Sequence, residues 1–185
     1  KDYSLGGITL LCKFDGQRVT MASQIAGADE TVSSLYSVKS EQATMLSFDT
    51  YNYLVHYFGQ PQGSMADDPN GTLGGDYEFV ISDATADRIE LKGKKYGNRI
   101  VMKAFSADQT WKQYLTRIKK VEDDAFFYEY DLRMDGLYTG QMLRSNYTFI
   151  VTYYDEVGKV HQKTVPFMFT TDGMRFHEPV TIDGQ

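Results

Sequence analysis

The stretch DRIELKGKKYGNRIVMKAF, residues 87–105, sets Lys92, Lys94, Lys95 and Arg99 around Gly93 and Gly97. Cations beside glycines are the raw material of a phosphate cradle, because glycine lets backbone N–H groups converge on an anion that lysine neutralises. A P-loop, however, runs from a strand into a helix and follows its lysine with Ser or Thr. Here the flanks alternate as strands do, with Ile89 and Leu91 before the glycines and Ile100 and Met102 after them, and no Ser or Thr follows the lysines. The segment reads as a β-hairpin whose charged tip is solvated, an arrangement that also discourages edge-to-edge pairing of sheets.

The other groups able to do chemistry are scattered. His56, His161 and His177 form no HExxH and no other close-spaced ligand pair, which a zinc site of the common kinds requires. His177 precedes Glu178 directly, and neighbours on a strand point to opposite faces. With Asp67 as the first position of an EF-hand, the third, fifth and sixth fall on Pro69, Gly71 and Thr72, so that motif fails for want of oxygen ligands and of the central glycine. An irregular calcium loop in the 65–76 segment, using Asp67, Asp68, Asn70 and Asp76, stays open beside a plain solvated turn.

Ser64 lies in QGSMA without the strand-to-helix elbow of a GxSxG nucleophile. Asn70-Gly-Thr72 and Asn146-Tyr-Thr148 fit the short glycosylation acceptor pattern. The single cysteine, Cys12, sits in the apolar run ITLLCKF; it rules out an internal disulfide and reads as a buried, inert thiol. No residue is assigned a catalytic, cofactor-binding or metal-binding role, and no cofactor is expected.

The elements that must position these groups are mostly strands. GGITLLCKFDGQRVTMAS gives two runs joined at Asp15-Gly16, a dipeptide that accepts positive φ and favours a tight hairpin. TVSSLYSV and ATMLSF continue the series, and then Phe48, Tyr51, Leu54, Val55 and Phe58 recur at helical spacing. Asp49 as N-cap and Gly59 with Pro61 as stop predict a short helix over 50–58 packed on the sheet. Residues 59–76 form the main loop. Tyr77, Phe79 and Ile81 share one face of the next strand, which is followed by the two strands of the basic hairpin.

SADQTWKQYLTRIKKVEDD predicts the longer helix, with Ser106 and Gln109 as a capping box. Its apolar stripe, Trp111, Tyr114, Leu115 and Ile118, should bury against the sheet, and Lys119 and Lys120 favour its C-terminal end. Strand-like runs then resume, AFFYEYDLRM, LYTGQML, NYTFIVTYYD, KVHQKTVPFMF and MRFHEPVTI, with turns at Asp135-Gly136, Glu156-Val157-Gly158 and Asp172-Gly173.

The expected fold is mainly β (α+β): an antiparallel meander forming a barrel or a sandwich, with roughly ten strands and two helices packed on the sheet. Two units are expected. Residues 1–124 form a barrel-like meander ending in a helix, and residues 125–185 form a second antiparallel unit, separate or continuous with the first.

A net charge of −6 argues against general nucleic-acid binding, which needs a basic surface. No apolar run approaches the ~20 residues that span a bilayer, and a chain starting at Lys1 without an initiating Met is expected to be processed or truncated. Fourteen Tyr and eleven Phe suit β cores, and also a surface for sugars or aromatic ligands.

LSFDTYNYLVHYF, GGDYEFVI, IELKGKKYGNRIVM and DGMRFHEPVTIDG together resemble a family of lipoproteins of unknown function from Bacteroidetes-type bacteria. The run from YEF to GNRIVM is similar to the later strands of lipocalin-like barrels. The resemblance implies export, lipid attachment at a cysteine upstream of Lys1, and a place in the cell envelope, at the outer membrane, beside nutrient-uptake systems. It transfers no catalytic residue. The expected role is a non-enzymatic binding or accessory protein whose partner is a small molecule, a glycan or an envelope protein, with no nucleic acid and with the membrane reached only through that anchor. The alternatives are an extracytoplasmic hydrolase, whose two carboxylates the sequence cannot single out, and a purely structural interaction domain.

Overall fold

The computed structural model describes residues 6–40, 42–59, 74–155, 157–177 and 179–181. The chain is mainly β, with twelve antiparallel strands in two curled sheets, each a half-barrel, and two helices among the described residues. Contacts divide it into two units, one of Leu10–Gln113 and the other of Tyr114–Gln185 with Asp2–Thr9.

The first unit is a meander in which every strand pairs with its neighbour in sequence. Its strands are β1 (Leu10–Asp15), β2 (Arg18–Ser23), β3 (Val32–Ser40), β4 (Thr44–Phe48), β5 (Glu78–Ala84), β6 (Arg88–Gly93) and β7 (Arg99–Lys103). The first hairpin turns at Asp15-Gly16 as the sequence requires: Asp15 faces Arg18 and Gly16 takes φ of 59°. Alternation sends Val19, Met21, Leu46, Phe48, Phe79 and Leu91 to one face, where Leu54 and Val55 of helix α1 (Tyr53–His56) complete the core.

That helix is shorter than the 50–58 expected, and its cap is Asn52, not Asp49. Both are local N-cap types, so tertiary partners decide. Asn52 is fully buried; its Oδ1 accepts from the Leu54 N–H at 3.1 Å while its Nδ2 donates to Ser34 Oγ at 3.1 Å and Met21 Sδ at 3.3 Å. A neutral amide can accept and donate at once in a dry site, which a carboxylate cannot. Asp49 is engaged elsewhere: its carboxyl lies 3.9 Å from the Lys39 ammonium and is held below the usual aspartate value, first by the nearby Ser37 hydroxyl and then by that of Ser47.

The second unit orders its strands β12-β11-β10-β9-β8: β8 (Glu129–Met134), β9 (Leu137–Ser145), β10 (Thr148–Tyr154), β11 (Val160–Thr170) and β12 (Gly173–Phe176). Asp135-Gly136, at φ of 50° and 80°, makes the tight turn read from sequence. Asn146 at φ 51° makes another, because Ser145 faces Thr148, and composition alone did not mark it. Phe149, Val151, Val165, Phe167 and Phe169 form the core, with Phe149 stacked on Phe167 at 4.7 Å between centroids. Gly140 has to be glycine, since a Cβ there would run into the Thr152 carbonyl on the neighbouring strand.

Helix α2 (Trp111–Asp124) has the expected capping box four residues later than read. Gln113 N donates to Thr110 Oγ1 at 3.2 Å, and Thr110 N donates to Gln113 Oε1 at 2.8 Å. Ser106 and Gln109 share the same spacing, but the helix starts where the apolar stripe starts. Within that stripe Leu115 and Ile118 are fully buried whereas Trp111 is only half-buried, so the stripe is centred one turn later than its tryptophan suggests. Lys120 is a mid-helix residue paired with Asp124 at 2.7 Å. AFFYEYDLRM is a strand only from Glu129; Phe126 and Phe127 precede it at 64% and 60% exposure.

Candidate functional site

The basic hairpin is an anion cradle, and it is filled from within. Asp76, buried just before β5, accepts from the Lys95 N–H at 2.8 Å, the Tyr96 N–H at 3.0 Å and the Asn98 N–H at 3.3 Å, and from Asn98 Nδ2 at 2.7 Å. Asn98 Nδ2 also donates to the Gly74 carbonyl. Gly93 closes the turn through its N–H to the Asn98 carbonyl at 2.7 Å, and a Cβ on it would fall within the Asp76 carboxylate. Successive N–H groups converging on an anion are the expected geometry of such loops, and the hairpin expected from sequence is present. Its backbone has no room for an external phosphate. Lys94 pairs with Glu78 at 3.2 Å and Arg99 with Glu90 at 3.2 Å, in exposed positions.

Beside this hairpin, in the same unit, three rings stand in a row. Tyr51 lies 5.5 Å from His56 between centroids, and His56 stacks on Tyr77 at 4.9 Å with 17° between planes. Tyr51 is 60% and Tyr77 44% exposed, so both ends of the row reach solvent. Its geometry follows from the scaffold. The buried Asn52 holds the start of α1, and its backbone fixes the imidazole, since His56 Nδ1 lies 3.1 Å from the Asn52 carbonyl and 3.2 Å from the Asn52 N–H. Gly59 clears space for the third ring: a Cβ there would come within 3.2 Å of Tyr77 Cδ1. Asp76 anchors the residue immediately before Tyr77. Lys95 places its ammonium 4.7 Å from the Tyr96 ring centroid, and the hydrogen bond with Tyr96 raises its pKa above the usual lysine value.

Sequence reasoning missed this row because it assigned both tyrosines to the core, Tyr51 to a helical stripe and Tyr77 to the inner face of β5. Tyr51 precedes the helix and Tyr77 precedes the strand, so neither obeys the period of the element it adjoins. The available signal was the abundance of tyrosine over leucine.

The remaining sequence candidates are not brought together. His56 belongs to the ring row in the first unit, and His161 and His177 to the second unit. His161 Nε2 lies 2.8 Å from Asp155 Oδ2 and its ring stacks on Tyr153 at 5.2 Å. Asp155 Oδ1 also accepts from the Val157 and Lys159 N–H groups, so this pair staples the β10–β11 turn, and the bond with His161 is the first cause of the lowered Asp155 pKa. The His177 ring lies over Gly7, where a Cβ would meet it. Cys12 packs against the first core, and burial pushes its thiol up to about 12. Tyr53 donates to Glu30, a bond that raises the phenol to about 12.

Asn146 sits at the β9–β10 turn with Thr148 buried after it. Ser64, Asp67, Asp68 and Asn70 lie outside the described residues. Among the described residues no three His, Cys, Asp or Glu side chains converge on a common point, and no helix is long and apolar enough to cross a membrane.

Over residues 1–185 the chain matches the family described as Domain of unknown function (DUF4302), and it belongs to that family. No curated protein and no solved structure matches it.

Proposed function

We propose that this DUF4302 chain is a non-enzymatic binding module of the cell envelope, serving a nutrient-uptake system, with the Tyr51–His56–Tyr77 row as its binding surface and a glycan as its ligand. The observation that carries the reading is the row itself: His56 stacked on Tyr77 with Tyr51 tilted against it, both tyrosines exposed to solvent, held by a buried cap, a glycine and a caged carboxylate. Flat aromatic faces with polar edges suit sugar rings, which offer C–H groups to the π face and hydroxyls to the rim. Ordering such rings in advance lowers the entropic cost of binding. The lipid anchor upstream of Lys1, the lipoprotein class, the outer-membrane location and the lipocalin-like kinship belong to this proposal, supported by the segments quoted from the sequence.

The test is calorimetric titration with soluble oligosaccharides of several backbones. Tyr77→Ala should weaken any binding by about tenfold, the equivalent of one lost stacking partner worth roughly 1.4 kcal/mol. Binding that survives both Tyr77→Ala and Tyr51→Ala unchanged, or no binding across the panel, refutes the surface.

A second reading, an interaction domain with an envelope protein as partner, is favoured by Phe126 and Phe127, which stand exposed beside Tyr128 at 65%. Exposed neighbouring aromatics are typical of interface anchors. Replacing both phenylalanines by Ser should then abolish association with a candidate partner while leaving glycan titrations unchanged.

A further inference from the structure

We propose that the exposed Phe126–Phe127–Tyr128 segment and Arg144 form one docking site for an acidic peptide segment of another protein, with Arg144 taking a carboxylate of that segment. The inference rests on the reading of those rings as an interaction surface and adds the chemistry of the partner.

Arg144 is singled out by what it lacks. Its Nε and Nη1 are buried without a hydrogen-bond partner, and it is the one cation among the described residues in that state. Buried donors of a charged group are rarely left bare, because taking them out of water is costly unless another acceptor replaces it. The carboxylates of the adjoining elements are committed elsewhere: Glu122 accepts from Tyr147 Oη at 2.8 Å, Glu129 accepts from Gln141 Nε2, and Asp131 pairs with Arg133 at 3.0 Å. What the guanidinium does meet is aromatic, since Cζ lies 4.9 Å from the Tyr128 ring centroid and 5.7 Å from that of Phe169. A ring face balances part of the charge but accepts no N–H bond in the guanidinium plane, which is where a carboxylate binds.

The pairing that places the arginine also places the rings. The Arg144 N–H donates to the Tyr128 carbonyl at 2.7 Å, so residue 128 is held by its backbone while its ring, 65% exposed, covers the guanidinium and can turn aside for a ligand. The Phe127 carbonyl accepts from Tyr130 Oη at 2.9 Å, and the Phe127 ring lies 4.2 Å from that of Phe126 between centroids. Three consecutive exposed rings beside a desolvated arginine have the composition of a protein interface centre, where aromatic residues and Arg are enriched. The unmatched positive charge then sets the partner's chemistry: a carboxylate is accepted there and a second cation is rejected.

The experiment follows the Arg144 Nε–H and the Phe126 and Phe127 signals by nuclear magnetic resonance while the full chain is titrated with 3-phenylpropanoate, 3-phenylpropanamide and 3-phenylpropan-1-ol to about 20 mM, the range in which single fragments bind. All three should shift the phenylalanine signals, because they share the ring. Only the carboxylate should move the Arg144 Nε–H, and it should bind at least about fivefold more tightly than the amide in low salt, a preference that shrinks at about 0.5 M salt. Arg144→Gln should erase the preference and keep the neutral binding, and Phe126→Ser with Phe127→Ser should weaken all three fragments. A second measurement needs no ligand: Arg144→Met removes the bare donors and keeps most of the volume, so the urea midpoint should hold or rise. A clearly lower midpoint would mean that the arginine is already partnered within the chain, and overturns the proposal. Equal binding of carboxylate and amide, or a preference that survives Arg144→Gln, overturns the charge assignment and leaves the aromatic surface standing. No shift of the phenylalanine signals with any fragment overturns the two together.

Discussion

Gly93→Ala puts the caged carboxylate to the sharpest test. The residue keeps ordinary backbone angles, so alanine brings no conformational penalty of the positive-φ kind. Its effect is steric: the new methyl would stand 2.8 Å from Asp76 Cβ and nearer still to the carboxylate. One of them must leave, and the Cβ, built into β6 opposite Phe79, cannot. Asp76 would swing out, abandoning four donors at 2.7, 2.8, 3.0 and 3.3 Å. Charged hydrogen bonds contribute ~1.5–3 kcal/mol each, but water can replace partners at a hairpin tip, so the expected loss is about 2–4 kcal/mol.

Asp76→Ala should lose a similar amount, by leaving the same N–H groups bare. The double variant is decisive, because the carboxylate that the methyl overlaps is gone and only the 2.8 Å approach to the Cβ of residue 76 remains, which a shift of a few tenths of an ångström relieves. Gly93→Ala should therefore cost less than about 1 kcal/mol in the Asp76→Ala background, a coupling of roughly 2 kcal/mol measured by urea denaturation. Additive losses would sink the steric argument. Lys94→Ser with Lys95→Ser keeps every backbone donor and should change stability by no more than about 0.5 kcal/mol, which separates the loop's backbone role from its charges.

Other elements can be tested in the same way. Ile118→Ala should cost about 2–5 kcal/mol, as a fully buried aliphatic does, and Trp111→Ala distinctly less, with native fluorescence only partly blue-shifted; the reverse ranking would place the centre of the α2 stripe wrongly. Cys12 is partly buried and its thiol is pushed up to about 12 from an ordinary 9.0, so it should be alkylated at pH 8 far more slowly than a free thiol, and its contribution to stability should fall as pH rises from 9.0 towards 12; native-state labelling at the rate of the unfolded chain would refute this. Asp155 has a lowered pKa, so the stability it supplies is present above its ordinary 3.8 and fades as pH falls below that value. His161→Gln should accordingly destabilise near pH 5 and converge with wild type in acid, and a gap that widens in acid would contradict the staple.

The strand order was legible because the turns are local. Asp15-Gly16 and Asp135-Gly136 carry their own conformational preference, and alternation on either side fixes the register without reference to the rest of the chain. The helix caps were not. Asp49 and Asn52, like Ser106 and Thr110, are equivalent by type, and each choice turned on a partner: Ser34 and Met21 for Asn52, Gln113 for Thr110. Capping is a short-range interaction that competes with long-range ones, so a sequence window sees the candidates and not the competitors.

The site illustrates the same limit more severely. The basic hairpin drew attention because its charges are contiguous, yet the group that shapes it, Asp76, enters from the far side of the long loop. From sequence, Asp76 was grouped with Asp67, Asp68 and Asn70 as a calcium ligand, whereas its oxygens are occupied by N–H donors of residues 95, 96 and 98. A carboxylate satisfied by three N–H groups and an amide has little left to offer a cation. The same bonds that remove Asp76 from metal chemistry hold the residue before Tyr77, and so fix one end of the ring row. A single buried charge thus links the acidic loop, the glycine pattern and the exposed aromatics, three features that composition presents as unrelated.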